Sequence, residues 1–253
     1  MIGGALRRER VVVVSALLGV VILAWGYVLV GAGMSMHEMS GMPMARQQAA
    51  WTPGYAAVVS LMWAVMMAAM MLPSAAPMIL LYDTIARRRE LRGETAIGAG
   101  VFALGYVLVW TAFSLVAVAI QLGLDRAALL SPMMSMTSRS VAGSVLIAAG
   151  VYQWTPLKQA CLRRCRSPLE FLMTEWREGR KGALIMGLRH GAYCLGCCWM
   201  LMLLLFVGGI MNIVWIAGIA MFVLIEKVAP AGHWIGRVAG AAFVVWGTAI
   251  LVS

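Results

Sequence analysis

The sequence predicts an all-α protein: a single polytopic membrane helix bundle with about seven transmembrane helices. Of its 253 residues, 62% are hydrophobic and only 12% are charged, which is more apolar surface than a water-soluble core needs. Apolar runs of the length that crosses a bilayer recur along the chain, and the loops between them are short. Residues 1–253 are therefore expected to form one transmembrane domain.

Each predicted helix corresponds to one apolar run. The first run follows Arg7, Arg8 and Arg10 and is too long for a signal-peptide core, so it is expected to remain as an uncleaved anchor. The fourth, sixth and seventh runs are near the lower length limit of roughly 17 residues for a span, so six spans are the alternative count. The predicted spans are 11–31, 55–81, 97–122, 138–153, 183–208, 213–228 and 237–252.

The distribution of basic residues predicts the orientation in the membrane. With a cytoplasmic N-terminus, the outer segments hold only Arg46, Arg126 and Arg139 of the 20 Lys and Arg residues. This positive-inside pattern predicts a multi-pass protein of the bacterial inner membrane. The net charge of +10 is then explained by topology and by contact with anionic lipid headgroups, and no nucleic-acid partner is expected.

The fifth span carries the most informative group of side chains. His190, Cys194, Cys197 and Cys198 fall within an arc of roughly 100° on a helix, and Met202 follows one turn later. Imidazole, thiol and thioether groups are soft metal ligands, and polar groups inside a membrane are costly and often functional. We therefore predict a metal site here. The alternative is that the buried cysteines act as small hydrophobic residues.

A second group of soft ligands lies in the loop at residues 32–54, on the predicted outer side. Thioethers with an imidazole favour Cu(I) over Zn(II), which prefers thiolate, imidazole and carboxylate. They also bind without deprotonation and form no disulfides in an oxidising compartment. The alternative is a disordered loop that happens to be rich in methionine. The predicted ligands are Met34, Met36, His37, Met39, Met42 and Met44.

The second span adds a methionine stripe. Met62, Met66 and Met70 recur every four residues and would extend about 12 Å along one helix face, starting near the outer loop. Pro73 and Pro77 are expected to interrupt this helix, and broken helices often line binding sites at mid-membrane depth. A ladder of relay ligands and ordinary packing by methionine are equally compatible with the stripe.

The segment 154–182 is predicted to be a basic cytoplasmic loop with a further cysteine pair. Cys161 and Cys165 are four residues apart, on one helical face, among basic residues that are expected to lower the thiol pKa and favour the metal-binding thiolate. Two ordinary reduced thiols, or palmitoylation beside the membrane, are the alternatives. The predicted outer loops contain no cysteine, so no disulfide framework is expected.

Glu226 and Lys227 end the sixth span. We interpret them as an ion pair, because paired charges are the usual way to hold such groups in a membrane. The alternative is that Glu226 serves as a metal ligand or a proton acceptor.

Four motifs together resemble a family of bacterial predicted metal-binding integral membrane proteins, an uncharacterised domain family. The resemblance covers most of the chain from about Trp51 onward and implies metal binding in the membrane, but no reaction, substrate or partner. The Met-rich loop lies outside it. The motifs are Trp63-x2-Met66-x-Ala68-x-Met70-Met71-Leu72-Pro73, Pro156-Leu157-Lys158-x2-Cys161-Leu162-x2-Cys165-Arg166-x-Pro168, Gly187-x2-His190-x3-Cys194-x-Gly196-Cys197-Cys198-Trp199-x-Leu201-Met202, and Glu226-Lys227.

The sequence thus predicts a membrane Cu(I)-binding protein that moves or delivers copper by exchange between thioethers and thiolates, in uptake or in cuproenzyme assembly. It contains no Walker loop, Ser-His-Asp arrangement or HExxH motif, so no enzymatic activity is expected. The expected partners are membrane lipid and a copper chaperone or membrane cuproenzyme, with the oligomeric state left open.

Three alternatives remain open at this point. The chain could be an accessory or sensor subunit with a structural metal, a thiol-redox protein using Cys197 and Cys198, or a haem protein using His190. Zinc fits the ligand set less well because no carboxylate cluster accompanies the thiols. Haem fits less well because only one histidine lies clearly within a span.

Overall fold

The computed structural model describes residues 2–30, 51–94, 97–131 and 134–253. Within these ranges the chain is all-α, as predicted, and its only β-type pairing is one isolated bridge between Leu130 and Met136. The loop with the six predicted outer ligands, 34–44, lies outside the described residues. The helices are α1 (Ile2–Leu29), α2 (Pro53–Glu90), α3 (Ala99–Arg126), α4 (Arg139–Tyr152), α5 (Pro156–Arg166), α6 (Pro168–Glu175), α7 (Gly179–Gly208), α8 (Ile213–Val228) and α9 (Gly232–Val252).

All seven predicted spans occur as helices, but five of the described helices are long and apolar enough to cross a membrane. These five are α1, α2, α3, α7 and α9. Helices α4 and α8 have only 14 and 16 residues, so the predicted count of seven spans is not established by length. Helices α5 and α6 fall inside the predicted cytoplasmic loop.

Local sequence signals explain where several helices begin. Four helices start after a side chain that accepts a hydrogen bond from a first-turn amide, which satisfies a donor that the helix itself leaves free. Pro53 and Pro156 occupy the first position of α2 and α5, where a missing amide hydrogen has no cost. The capping residues are Thr52, Ser138, Thr155 and Asn212.

The predicted interruption of α2 is wrong, because α2 continues through Pro73 and Pro77 to Glu90. Each proline removes one backbone donor, which leaves the carbonyl groups of Ala69 and Pro73 without their usual helical partner. The hydroxyl groups of Ser74 and Tyr106 both donate to Met71 O, at 2.8 and 3.0 Å. The bond from Tyr106 ties the helix to α3 close to the prolines, and α2 remains continuous through both.

Helix α7 lies at the centre of the bundle, in contact with α3, α4, α5 and α8. Glycines allow the closest of these approaches, because small residues let helix backbones meet. A Cβ atom at Gly105 of α3 would lie 2.9 Å from Leu188 N of α7. Helices α4 and α9 meet in the same way, since a Cβ atom at Gly240 would lie 2.8 Å from Gly150 O.

Helix α5 packs along the middle of α7, which positions the candidate site. The Sγ atom of Cys161 fills the space beside Gly196, where a Cβ atom would lie only 2.7 Å from it. Tyr152, just before α5, donates to Gly196 O at 2.5 Å. At the other end of α5, Arg166 donates to the carbonyl oxygens of Ala229 and Pro230 at 2.7 and 2.8 Å, and so holds the end of α8.

The contact between α3 and α7 can be tested with two glycines on the same helix. Gly105→Ala would push a methyl group into the α7 backbone, and we expect it to lower the free energy of unfolding by about 1–3 kcal/mol. Gly100→Ala is the matched control, since a Cβ atom there meets nothing within 4 Å. Thermal unfolding in detergent should separate the two variants, and equal melting temperatures would contradict this packing.

Candidate metal centre

Three of the predicted ligands share one buried face of α7. The side chains of Cys194, Cys197 and Cys198 are each at most 1% exposed. Their spacing of three and four residues brings two thiols back onto the preceding turn, as helical geometry requires. Cys197 Sγ and Cys198 Sγ donate to Cys194 O at 3.1 and 2.9 Å. The local grouping inferred from the sequence is therefore present in the structure.

Helix α5 brings the other two cysteines to the same place. Cys165 hydrogen-bonds to Cys197, which also lies within hydrogen-bonding reach of the thiols of Cys194 and Cys198. Cys161 packs beside Gly196, one position before Cys197. All five cysteines are free thiols. The sequence did not show that the cysteines of α5 meet those of α7. Below, "the thiol cluster" means Cys165, Cys194, Cys197 and Cys198.

The expectation that basic neighbours lower the pKa values of the α5 thiols is wrong. Burial, followed by the proximity of Cys197, raises the pKa of the Cys161 thiol. A hydrogen bond with Cys197, followed by burial, raises the pKa of the Cys165 thiol. Two of the basic neighbours are engaged elsewhere, since the Lys158 ammonium binds a carboxylate and Arg166 binds carbonyl groups at the end of α8. These thiols are therefore mostly protonated at neutral pH in the metal-free protein.

Polar groups from α8 and α3 contact Cys194, and a hydroxyl group of α2 lies behind them. Lys227 Nζ, from α8, lies 2.8 Å from Cys194 Sγ and 3.0 Å from Ser74 Oγ of α2. Tyr106 OH, from α3, lies 3.0 Å from Cys194 Sγ. Sequence reasoning missed Tyr106 and Ser74 as members of this site, because an isolated hydroxyl in an apolar span gives no signal of what it faces.

The interpretation of Glu226 and Lys227 as an ion pair with each other is wrong. Consecutive helical residues point about 100° apart, so the two side chains leave α8 in different directions. Glu226 Oε2 instead binds Lys158 Nζ of α5 at 2.8 Å, with both side chains at most 1% exposed. Lys227 therefore contacts the thiol cluster and not Glu226.

His190 lies one helical turn before Cys194 in an aromatic pocket. Its ring centre is 6.0, 5.6 and 5.6 Å from those of Phe102, Tyr106 and Phe171. Within the described part of the chain, its Nδ1 atom is buried and has no hydrogen-bond partner. Buried polar atoms usually have one, so this nitrogen is available to a ligand, and the role of His190 in metal binding stays a prediction.

The methionine ligands remain untested predictions. Each predicted methionine of α2 and α7 is at most 2% exposed, but Met67 and Met71, on other faces of α2, are equally buried. Burial alone therefore does not distinguish a relay from packing. The predicted members are Met62, Met66, Met70 and Met202.

The thiols do not form a ready metal cage. Within the described ranges, no three His, Cys, Asp or Glu side chains are arranged to hold a metal ion. The sulfur atoms are instead directed at each other, at Cys194 O and at the Lys227 ammonium. Zn(II) at a structural site needs four ligands in a tetrahedron, whereas soft Cu(I) is satisfied by as few as two sulfur ligands. A contact between two thiols is therefore the relevant unit for copper.

The Lys158–Glu226 pair, which joins α5 to α8, can be tested by removing its negative charge. Glu226→Gln leaves the fully buried Lys158 ammonium without a counter-charge, and we expect a loss of about 3–5 kcal/mol in the free energy of unfolding. Glu170→Gln is the control, because its carboxylate is exposed and 3.8 Å from Arg164. It should cost less than about 1 kcal/mol. Equal losses in chemical unfolding would contradict a buried pair.

Comparison with protein-family models places most of the chain in a family. A family model described as PpoB2, copper chaperone, matches residues 60–250. This range includes all five cysteines, His190 and Lys227, and it begins after the Met-rich loop. No curated protein and no solved structure matches the chain.

Proposed function

This chain belongs to the PpoB2 copper chaperone family, and on that premise we propose that it binds Cu(I) inside a membrane and passes it between thiolates towards a client protein. The family supplies the connection to copper. The oxidation state, the membrane setting and the exchange mechanism are our inferences from the thiol cluster and the long apolar helices.

The observation that carries the proposal is the contact between Cys165 of α5 and Cys197 of α7. Two thiols from different helices can provide a two-coordinate sulfur site, and Cys165 and Cys197 are such a pair. Cu(I) binding requires their deprotonation, so loading releases protons. Because the pKa of Cys165 is raised, protons compete with Cu(I) for this sulfur more strongly than they would at an ordinary thiol.

The position of Cys197 suggests how the ion moves. Cys197 is within reach of Cys165, Cys194 and Cys198, so it can keep one bond to Cu(I) while the second ligand changes. Such exchange needs neither hydrolysis nor a nucleotide, and we propose that the protein acts without enzymatic turnover. Cys161 and Cys165 would serve the cytoplasmic side that the basic residues predict.

The predicted outer ligands would supply the opposite side. In this scheme, the Met-rich loop at 34–44 collects the ion, and Met62, Met66 and Met70 pass it towards the thiol cluster. Met202 and the free Nδ1 atom of His190 are further ligands along α7. The client is a copper-accepting protein, such as a membrane cuproenzyme or a second chaperone.

The proposal is tested by metal competition on the purified chain in detergent. Given equimolar Cu(I) and Zn(II), the protein should retain Cu(I) against a chromogenic Cu(I) chelator. Cys197→Ser removes the ligand shared by every exchange step, and we expect it to weaken Cu(I) binding by about 100-fold or more. Cys161→Ser is the matched control, because this thiol lies at the edge of the cluster, and it should lose less than about tenfold.

Two results would contradict the proposal. One is retention of zinc alone by the unsubstituted protein with its thiols reduced. The other is an unchanged Cu(I) affinity in Cys197→Ser, which would show that the cysteines contribute to packing and not to metal binding. Circular dichroism should show the same helix content in each variant, since one small polar substitution costs only about 1–2 kcal/mol in a helix bundle.

A further inference from the structure

A buried ammonium group lies within the thiol cluster. Lys227 is 8% exposed, and its Nζ atom donates to Cys194 Sγ and Ser74 Oγ at 2.8 and 3.0 Å. The neighbouring carboxylate, Glu226, is already bound by Lys158. Among the described residues, no carboxylate lies within ion-pair distance of Lys227. Its positive charge therefore has no conventional partner.

Among the described residues that face Lys227, the cysteines are the groups that can neutralise its charge. A cation buried in an apolar bundle is costly unless an opposite charge lies close to it. The groups that face Lys227 most closely are the Cys194 thiol, with Cys197 and Cys198 beyond it, and the hydroxyls of Ser74 and Tyr106. Sulfur is the only atom type in this set that readily carries a negative charge, so Lys227 is the counter-cation of the cluster.

The Lys227 ammonium is held in place from several sides. Arg166 donates to three carbonyl oxygens at the end of α8, those of Glu226, Ala229 and Pro230, at 3.1, 2.7 and 2.8 Å. The Lys158–Glu226 pair fixes the preceding residue. Because Lys227 is anchored to Ser74 as well, its charge cannot easily move away when a metal ion arrives.

We propose that Lys227 selects monovalent over divalent metal ions at the thiol cluster, an inference that rests on the proposed copper function. Two thiolates, one monovalent ion and one ammonium together carry no net charge. A divalent ion with the same ligands leaves one excess positive charge, which the fixed ammonium repels strongly in a medium of low dielectric constant. Discrimination therefore depends on ionic charge in addition to ligand softness.

The first test compares two soft metal ions of different charge in the unsubstituted protein. Ag(I) and Cd(II) both bind thiolates strongly, but only Cd(II) is divalent. We expect Ag(I) to displace Cu(I) from the cluster and Cd(II) to fail at the same concentration. Equal displacement by the two ions, measured by elemental analysis after gel filtration, would overturn the inference.

Three substitutions test the role of the lysine itself. Lys227→Gln keeps the chain length and polarity but removes the charge, and it should narrow the preference for Ag(I) over Cd(II) by about tenfold or more. Lys227→Arg keeps the charge and should keep the preference. Lys181→Gln is the matched control, because it removes one exposed charge from α7 outside the cluster, and it should change nothing.

The outcomes separate this inference from the proposed function. If Lys227→Gln binds Cu(I) normally and keeps the same preference for Ag(I) over Cd(II), the selective role of Lys227 is wrong. The proposed copper site is not affected by that result. Failure of the unsubstituted protein to bind Cu(I) would remove the proposed function, and the inference with it. If Lys227→Gln does not fold, equal displacement of Cu(I) by Ag(I) and Cd(II) in the unsubstituted protein would still overturn the inference.

Discussion

The burial of two lysine side chains in an apolar helix bundle is the constraint on which the rest of the site depends. Each ammonium group needs a partner, and the last turn of α8 supplies both connections by sending Glu226 and Lys227 in different directions. Glu226 binds Lys158 and so connects α8 to α5, while Lys227 contacts the Cys194 thiol of α7. A single ion pair between the two neighbours would leave the buried Lys158 ammonium without a counter-charge.

The thiol cluster follows from this arrangement. Because Lys158 is bound to α8, the next turns of α5 lie along α7, and Cys161 and Cys165 come to rest beside Gly196 and Cys197. Glycine at position 196 leaves room for this approach, since a side chain there would force the Cys161 thiol to shift. A buried ion pair is weak support for stability. Here, however, it brings ligands from two helices together.

The sequence predicted what depends on local periodicity. Apolar runs identified seven of the described helices but not α5 and α6, which lie in a predicted loop. Spacing placed Cys194, Cys197 and Cys198 on one face, because such patterns depend on residues within a few turns of each other. It could not predict the contact between Cys165 and Cys197, because that contact depends on how two helices pack. For the same reason it gave the wrong partner for Glu226 and the wrong direction for the pKa of Cys161.

The most direct test of the account is X-ray absorption spectroscopy at the copper edge of the full chain loaded with one equivalent of Cu(I). The account predicts an edge typical of Cu(I) and a first coordination shell dominated by sulfur, because the thiols of α5 and α7 are the ligands that the bundle brings together. A first shell of nitrogen and oxygen, or loss of copper during reduction to Cu(I), would contradict it.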